Sequence, residues 1–280
     1  MNGGKSPNAS RKISILIHVL LILTCIITVG PFIWMFLTSI KTYEETIMIP
    51  VKIFPETPQW INYEIVWNKL PFVTLYLNTA IVTVFSIVGQ LIVVSLAAYA
   101  FARMRFPGKN VIFLAMLAMM MIPGQVFIIP RYRLFVELGL TNTVTALIIP
   151  HFFSVFGVFL MRQIFQGIPR ALDEAAIIDG AGFFRIYSTI MLPLAKTGLT
   201  SLAIMTMLST WKELMWPIIV NRSIDKMTLS AGLSMLIGEH TTYYEQVMAG
   251  AMVTVFPVVV LFVIFQRQFI AGIAKTGLKG

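Results

Sequence analysis

A chain of 280 residues that is 58% hydrophobic and only 12% charged does not read as one or two ordinary soluble domains, in which about 25% of residues carry charge. The net charge of +9 and the pI of about 9.8 point to the cytoplasmic loops of a membrane protein rather than to nucleic acid, because Lys and Arg collect in such loops. The single cysteine, Cys25, excludes an intrachain disulfide and a cysteine-based metal site.

Crossing the hydrocarbon core takes about 20 apolar residues in a helix. Six stretches reach that length: residues 13–40, 72–101, 111–129, 143–161, 198–220 and 248–269. An all-α membrane protein with six transmembrane helices follows. Its tails are residues 1–12 and 270–280, its helical domain is 13–269, and a long inner loop spans 163–197. The breakers Gly30, Pro31, Gly89, Pro150, Gly157, Pro217 and Pro257 lie inside the stretches. They imply a packed bundle, since neighbouring helices must satisfy the backbone groups they free. With both tails in the cytoplasm, thirteen cations fall inside, namely Lys5, Arg11, Lys12, Arg103, Arg105, Lys109, Arg162, Arg170, Arg185, Lys196, Arg267, Lys275 and Lys279. Seven fall outside: Lys41, Lys52, Lys69, Arg131, Arg133, Arg222 and Lys226. That bias sets the orientation as N-in, C-in.

The outer segment 41–71 and the outer loop 221–246 are polar, and carry Trp60, Trp67, Tyr243 and Tyr244. These aromatics suit first an interfacial belt, and second a docking surface for an extracytoplasmic partner.

The inner loop 163–197 is patterned. Pro169 suits the start of a helix, and Asp173 and Glu174 suit its dipole. Leu172, Ala175, Ala176 and Asp179 fall on one helical face with a small, flat middle. Gly180 and Gly182 break the helix, with Asp179 placed to fix the turn through its side chain. A second amphipathic piece with Phe184, Tyr187 and Met191 runs to Pro193. Helices this short are marginal alone in water. Acidic Asp173, Glu174 and Asp179 facing an anionic leaflet fit a surface helix on the bilayer poorly, and a protein partner with a groove fits better.

Span five ends in Trp211, Lys212 and Glu213. Ions at such a depth point to a cavity or a partner, or they snorkel to the outer interface beside Trp211 and Trp216. His18, His151 and His240 are dispersed; the first two, lying in spans without acids at helical spacing, suit packing or a backbone hydrogen bond. No nucleophile, metal cage or carboxylate dyad assembles, so the chain is read as a non-enzyme. It also lacks a GxxxxGK[ST] phosphate loop, so any ATP would have to be held by another subunit.

Glu174-Ala175-Ala176, Gly180, Ile190 and Leu192-Pro193 resemble the EAA signature of binding-protein-dependent ABC importer permeases. The stretches Ser95 to Arg103, Arg105-Phe106-Pro107-Gly108, Met121-Ile122-Pro123, Leu138-Gly139-Leu140, Asn142-Thr143 and Arg162-Gln163 resemble the carbohydrate-uptake group of that family. So does the closing Phe269-Ile270-Ala271-Gly272 to Gly277-Leu278-Lys279-Gly280. The chain is similar to the smaller six-span partner of a maltose-type pair. Two departures stand out: Thr197 where the family usually has a second proline, and Lys212 where it tends to have asparagine.

The resemblance implies a type I importer architecture in the cytoplasmic (inner) membrane of a prokaryote. It implies a second homologous permease subunit, two ATP-binding subunits that hold ATP and Mg, and an extracytoplasmic solute-binding protein. Glu174, Ala175, Ala176, Asp179, Gly180, Ile190, Leu192 and Pro193 would form the ATPase-coupling site. Trp211, Lys212 and Glu213 would border the translocation pathway, and Gly277, Leu278, Lys279 and Gly280 would reach the ATPases. The alternative is an ion-coupled secondary transporter. It would want buried midplane carboxylates and an internal repeat, and it would leave the acidic loop unexplained.

Overall fold

A computed structural model describes residues 7–238 and 241–277. In chain order its helices are α1 (Pro7–Ser39), α2 (Tyr43–Ile47), α3 (Ile61–Lys69), α4 (Phe72–Arg103), α5 (Lys109–Met119), α6 (Ile128–Glu137), α7 (Thr145–Ile148) and α8 (Val155–Gly167). There follow α9 (Ala171–Ile178), α10 (Phe183–Ile186), α11 (Leu192–Leu194), α12 (Lys196–Lys212), α13 (Met215–Val220), α14 (Leu229–Leu233) and α15 (Tyr244–Gly277). No strand occurs among the described residues.

Two of the apolar stretches are long continuous helices, α1 and α4. Three others bend. The third turns by 98° between α5 and the segment Gly124–Glu137, the fourth by 42° between Thr145–His151 and α8. At the entry to the fifth, Lys196–Lys212 meets Phe183–Leu194 of the inner loop at 77°. By length and composition, two helices among the described residues suffice to cross a membrane, and up to five do when each bent pair counts once. The third stretch is therefore not the single helix its apolarity suggests. Pro123 supplies no N–H and disfavours helical backbone at Ile122. The chain tightens into short-range bonds there, Met121 N–H to Ala118 O at 3.1 Å and Ile122 N–H to Met119 O at 3.2 Å, before it turns.

The chain divides into two compact units. The first comprises Met1–Leu70 and Leu236–Phe256. Within it, α1 shows apolar side chains all round, as a helix bathed in lipid requires. Its His18 Nδ1 lies 2.7 Å from Ser14 O, the backbone bond expected of it. The outer segment is tightly built. Thr42 and Glu45 close a capping box, Glu45 N–H to Thr42 Oγ1 at 3.3 Å and Thr42 N–H to Glu45 Oε2 at 3.0 Å. The Glu45 carboxylate also accepts Glu56 N–H at 2.8 Å. Asn62 Nδ2 donates to Ser39 O and Lys41 O at 3.0 and 2.9 Å. Lys41, which is fully buried, donates to Lys52 O and lies 4.5 Å over the Trp34 ring.

The Glu56 N–H, foremost, holds the Glu45 carboxyl below its ordinary range against the opposing cost of burial. A depressed carboxyl stabilises the fold above its unfolded-state value and loses that contribution as pH falls through its folded value. Glu45→Gln is therefore expected to loosen residues 42–59 at neutral pH, with amide exchange there roughly tenfold faster, as the loss of a charged hydrogen bond predicts. The difference should shrink toward acid pH.

The second unit comprises Pro71–Met235 and Pro257–Gly280. Here α4 packs along α8 and α12. Val94, Ala98, Tyr99 and Ala102 of α4 meet Val158, Met161 and Phe165 of α8 and Leu202 of α12 in one core. Close approach relies on glycine. A Cβ on Gly89 would stand 2.3 Å from the Phe152 ring, so Gly89→Val should displace that ring. The expected cost is about 1–3 kcal/mol, read as a lower thermal midpoint in detergent. Hydroxyl and amide groups tie α4 to its neighbours: Thr206 donates to Gln90 Oε1, and Thr210 Oγ1 to Thr83 Oγ1 at 3.1 Å. Such bonds contribute about 0.6 kcal/mol each in a bilayer.

Candidate functional site

The inner loop folds as a helix, a turn and a second helix. Arg170 precedes α9 and Pro169 lies just before it, so the proline flanks the helix rather than opening it. The helix closes with Gly180 at φ +79°, Gly180 N–H on Ile177 O at 2.9 Å and Ala181 N–H on Ala176 O at 2.8 Å. Left-handed backbone is open to glycine at little cost, and the paired bonds satisfy two orphan carbonyls. The turn is thus closed by backbone donors, with the Asp179 side chain exposed. That corrects the expected side-chain lock. Gly182 precedes α10, after which Tyr187–Met191 widen into a π-helical turn ahead of Pro193.

The expected single face of Leu172, Ala175, Ala176 and Asp179 is split. Ala176 turns inward, 9% exposed, into the α4–α8 core, while Leu172, Glu174, Ala175, Asp179 and Gly180 face outward. Ile190 and Leu192 pack partly against the same core, and Pro193 is exposed. Of the second amphipathic piece, Tyr187 and Met191 are buried and Phe184 is exposed. The outward surface is therefore larger and greasier than the motif suggests: Ile177, Ile178 and Phe183 join Phe184 on it, Ile178 at 85% exposure.

What holds this surface was not foreseen. Arg103, the last residue of α4, places Nε 3.3 Å from Asp173 Oδ2, with both side chains largely buried. Its Nη2 donates to Phe165 O at 2.7 Å and Ile168 O at 2.5 Å, capping the end of α8. Arg162 of α8 returns the cap, Nε to Phe101 O at 3.2 Å. Tyr99 donates to Phe183 O at 3.2 Å, and Ser95 Oγ shares a hydrogen bond of 2.7 Å with Tyr187. The loop is thus pinned at Asp173, Phe183 and Tyr187 to the last three turns of α4. Ser95, Tyr99 and Arg103, four residues apart, share one stripe of that helix. That spacing was the available signal. Burial raises the Asp173 carboxyl above its ordinary value, and the Arg103 guanidinium only partly offsets this.

Lys212 ends α12, Glu213 and Leu214 unwind, and α13 starts at Met215. The fifth stretch is therefore broken where its charges sit. Glu213 Oε1 accepts Trp216 N–H at 3.2 Å, and Arg131 lies 5.0 Å over the Trp216 ring. Glu213, Arg131, Gln125, Ile128, Met215 and Trp216 line a cavity of about 280 Å³. Lys212 is exposed and forms no ion pair with Glu213, while Trp211 accepts Ser230 Oγ on its carbonyl at 2.6 Å. The backbone is helical to Gly277; Leu278, Lys279 and Gly280, like His240, lie outside the described residues.

The inner loop is thus a surface held to α4 by side-chain bonds from Ser95, Tyr99 and Arg103. Residues 90–275 match the family described as binding-protein-dependent transport system inner membrane component. The chain belongs to that family. As a family member it is an all-helical permease of the ABC importer type. It is 38% identical over 207 residues to an arabinooligosaccharide transport permease of Halalkalibacterium halodurans, covering 74% of each chain. It is 32% identical over 274 residues to an sn-glycerol-3-phosphate transport permease of Yersinia pestis, covering 95% of this chain and 98% of the relative. In structure it resembles a chain of a bacterial ABC transporter involved in alginate import, with a TM-score of 0.80, 26% identity, and coverage of 96% of this permease and 100% of that chain. The EAA pattern read from the sequence is typical of the family.

Proposed function

We propose that this permease moves a carbohydrate or related polyol across the cytoplasmic membrane of a prokaryote by alternating access, driven by separate ATPase subunits. The family match over residues 90–275 carries the reading, and relatives named for arabinooligosaccharide and sn-glycerol-3-phosphate transport bracket the substrate class. In this reading the chain crosses the membrane six times with both ends inside. It pairs with a second homologous permease, two ATP-binding subunits that hold ATP and Mg, and an extracytoplasmic binding protein.

The exposed face of α9 and the 180–182 turn is the ATPase contact, formed by Glu174, Ala175, Asp179 and Gly180 with Ile177, Ile178 and Phe184 around them. Ala176, Ile190 and Leu192 serve from behind, seating that face on the core. Because the loop is tied to α4 at Ser95, Tyr99 and Arg103, a push on it turns α4 as a body. Decisive switching of such a two-state pathway requires roughly 5 kcal/mol of differential nucleotide binding. The cavity lined by Glu213 and Arg131, next in sequence to Trp211 and Lys212, borders the pathway at its outer end.

The test is reconstitution with its partners and a panel of arabinooligosaccharide and glycerol phosphate. ATP-dependent accumulation of one class is expected. Accumulation by this chain in vesicles without any ATPase would overturn the reading.

A further inference from the structure

A basic niche lies where α4 hands over to α5. Its wall is Met104, Arg105, Phe106, Gly108, Lys109 and Val111, around about 400 Å³. Lys109 Nζ donates to Met104 O at 2.9 Å, and Arg162 lies 4.1 Å over the Phe113 ring. Among the described residues Arg105, Lys109, Arg162 and Arg170 form no ion pair; the nearby Asp173 is taken by Arg103. Burial, then the positive fields of Arg162 and Arg170, makes Lys109 give up its proton more readily than usual. Lys109 feels the fields of Arg162 and Arg170, Arg105 shares its wall, and no carboxylate stands at ion-pair distance from any of the four, a balance that invites an anion from outside the chain.

The surroundings select the kind of anion. The niche opens directly onto the exposed apolar face of α5, where Val111, Leu114 and Ala118 stand three and four residues apart. Val111 belongs to both surfaces. From the niche this stripe runs for roughly 10 Å at 1.5 Å per residue, the arrangement of a charged head followed by a hydrocarbon chain. An acidic protein surface would find charge but have no use for the stripe, and a free phosphate would leave it bare. Basic pockets at the cytoplasmic ends of transmembrane helices suit anionic headgroups.

We propose that this niche holds the phosphodiester headgroup of an anionic phospholipid of the cytoplasmic leaflet, with an acyl chain along Val111 and Leu114. The proposal rests on the transport reading only for the side of the membrane that this end of α4 faces. A lipid held there would sit beside the Arg103–Asp173 anchor of the loop.

The full chain, co-purified with its partners, should be placed in bilayer discs of phosphatidylcholine mixed four to one with phosphatidylglycerol. Native mass spectrometry of the released complex should show phosphatidylglycerol retained in preference to phosphatidylcholine. Arg105→Gln/Lys109→Gln should weaken that retention roughly 10- to 30-fold, two surface cations' worth, while the charge-keeping Arg105→Lys/Lys109→Arg should restore it. Millimolar inorganic phosphate should not displace the lipid. Equal retention of both lipids, unchanged retention in the double Gln variant, or displacement by inorganic phosphate would each overturn the proposal. Loss of the ATPase from that variant with its lipid intact would instead assign the niche to a protein. ATP-driven uptake in phosphatidylcholine alone tests the transport reading separately, so either idea can fall without the other.

Discussion

Arg103→Leu is expected to destabilise the permease by about 3–5 kcal/mol, whereas Asp173→Asn should change stability by less than about 1 kcal/mol. The asymmetry follows from what each side chain leaves behind. Without Arg103, Asp173 is a carboxylate in a largely buried place with no cation at ion-pair distance and only the weaker field of Arg170, and the carbonyls of Phe165 and Ile168 lose their cap. Without the Asp173 charge, Arg103 keeps both carbonyls. Burial already raises the Asp173 carboxyl more than Arg103 lowers it. A carboxyl raised on folding contributes its stability below its unfolded-state value and loses it as pH rises through the folded value. Mild acid should therefore tighten rather than release this end of the loop, and Asp173→Asn should remove that response. Thermal unfolding of both single variants and the double variant in detergent, at neutral pH and near the carboxylate range, measures the difference. If the Asn variant were as damaged as the Leu variant, the pair would be mutually required and the explanation would fail.

The two long apolar helices, the loop and its breaks are legible in the sequence, because each rests on a local signal: run length for α1 and α4, Gly180 for a left-handed stop, Asp173 and Glu174 for a helix start. What stayed hidden was tertiary. Ala175 and Ala176 are chemically identical, so nothing local says which one faces the core; the direction is set by Arg103 and Tyr99, about 70 residues earlier. The amphipathic spacing of Phe184, Tyr187 and Met191 does not say which of them the core takes; Tyr187 and Met191 are buried, and Phe184 stays outside with Ile178 and Phe183. Run length alone makes the third stretch one helix, and whether a proline such as Pro123 merely kinks a helix or turns it by 98° depends on what its neighbours do with the freed carbonyls. The Glu213 cavity needs Gln125 and Arg131 from a segment 80 to 90 residues away, a meeting no spacing rule announces.

That distinction between twin alanines gives the sharpest test of coupling. Ala175→Trp adds bulk to an exposed position and should leave membrane insertion and detergent stability unchanged. Uptake should nonetheless fall at least about tenfold, equivalent to about 1.4 kcal/mol at the contact, and co-purification of the ATPase should fall with it. Ala176→Trp carries the same chemistry into a full core, so it should lose the folded protein before any question of coupling arises. Gly180→Val forms a third case. Nothing lies within 4 Å of a Cβ there, but its φ of +79° is strained for a branched side chain. The turn should re-form at a different angle, so that the loop stays attached to α4 yet presents its face wrongly. Uptake should then drop while insertion persists, and hydrolysis by the bound ATPase should no longer track transport. Undiminished ATPase recovery and uptake with Ala175→Trp would remove the outward face of α9 from the coupling site, whatever the motif suggests. Equal loss of protein for Ala175→Trp and Ala176→Trp would show that both alanines are core, and the lever would have to be sought among Ile178, Phe183 and Phe184 instead.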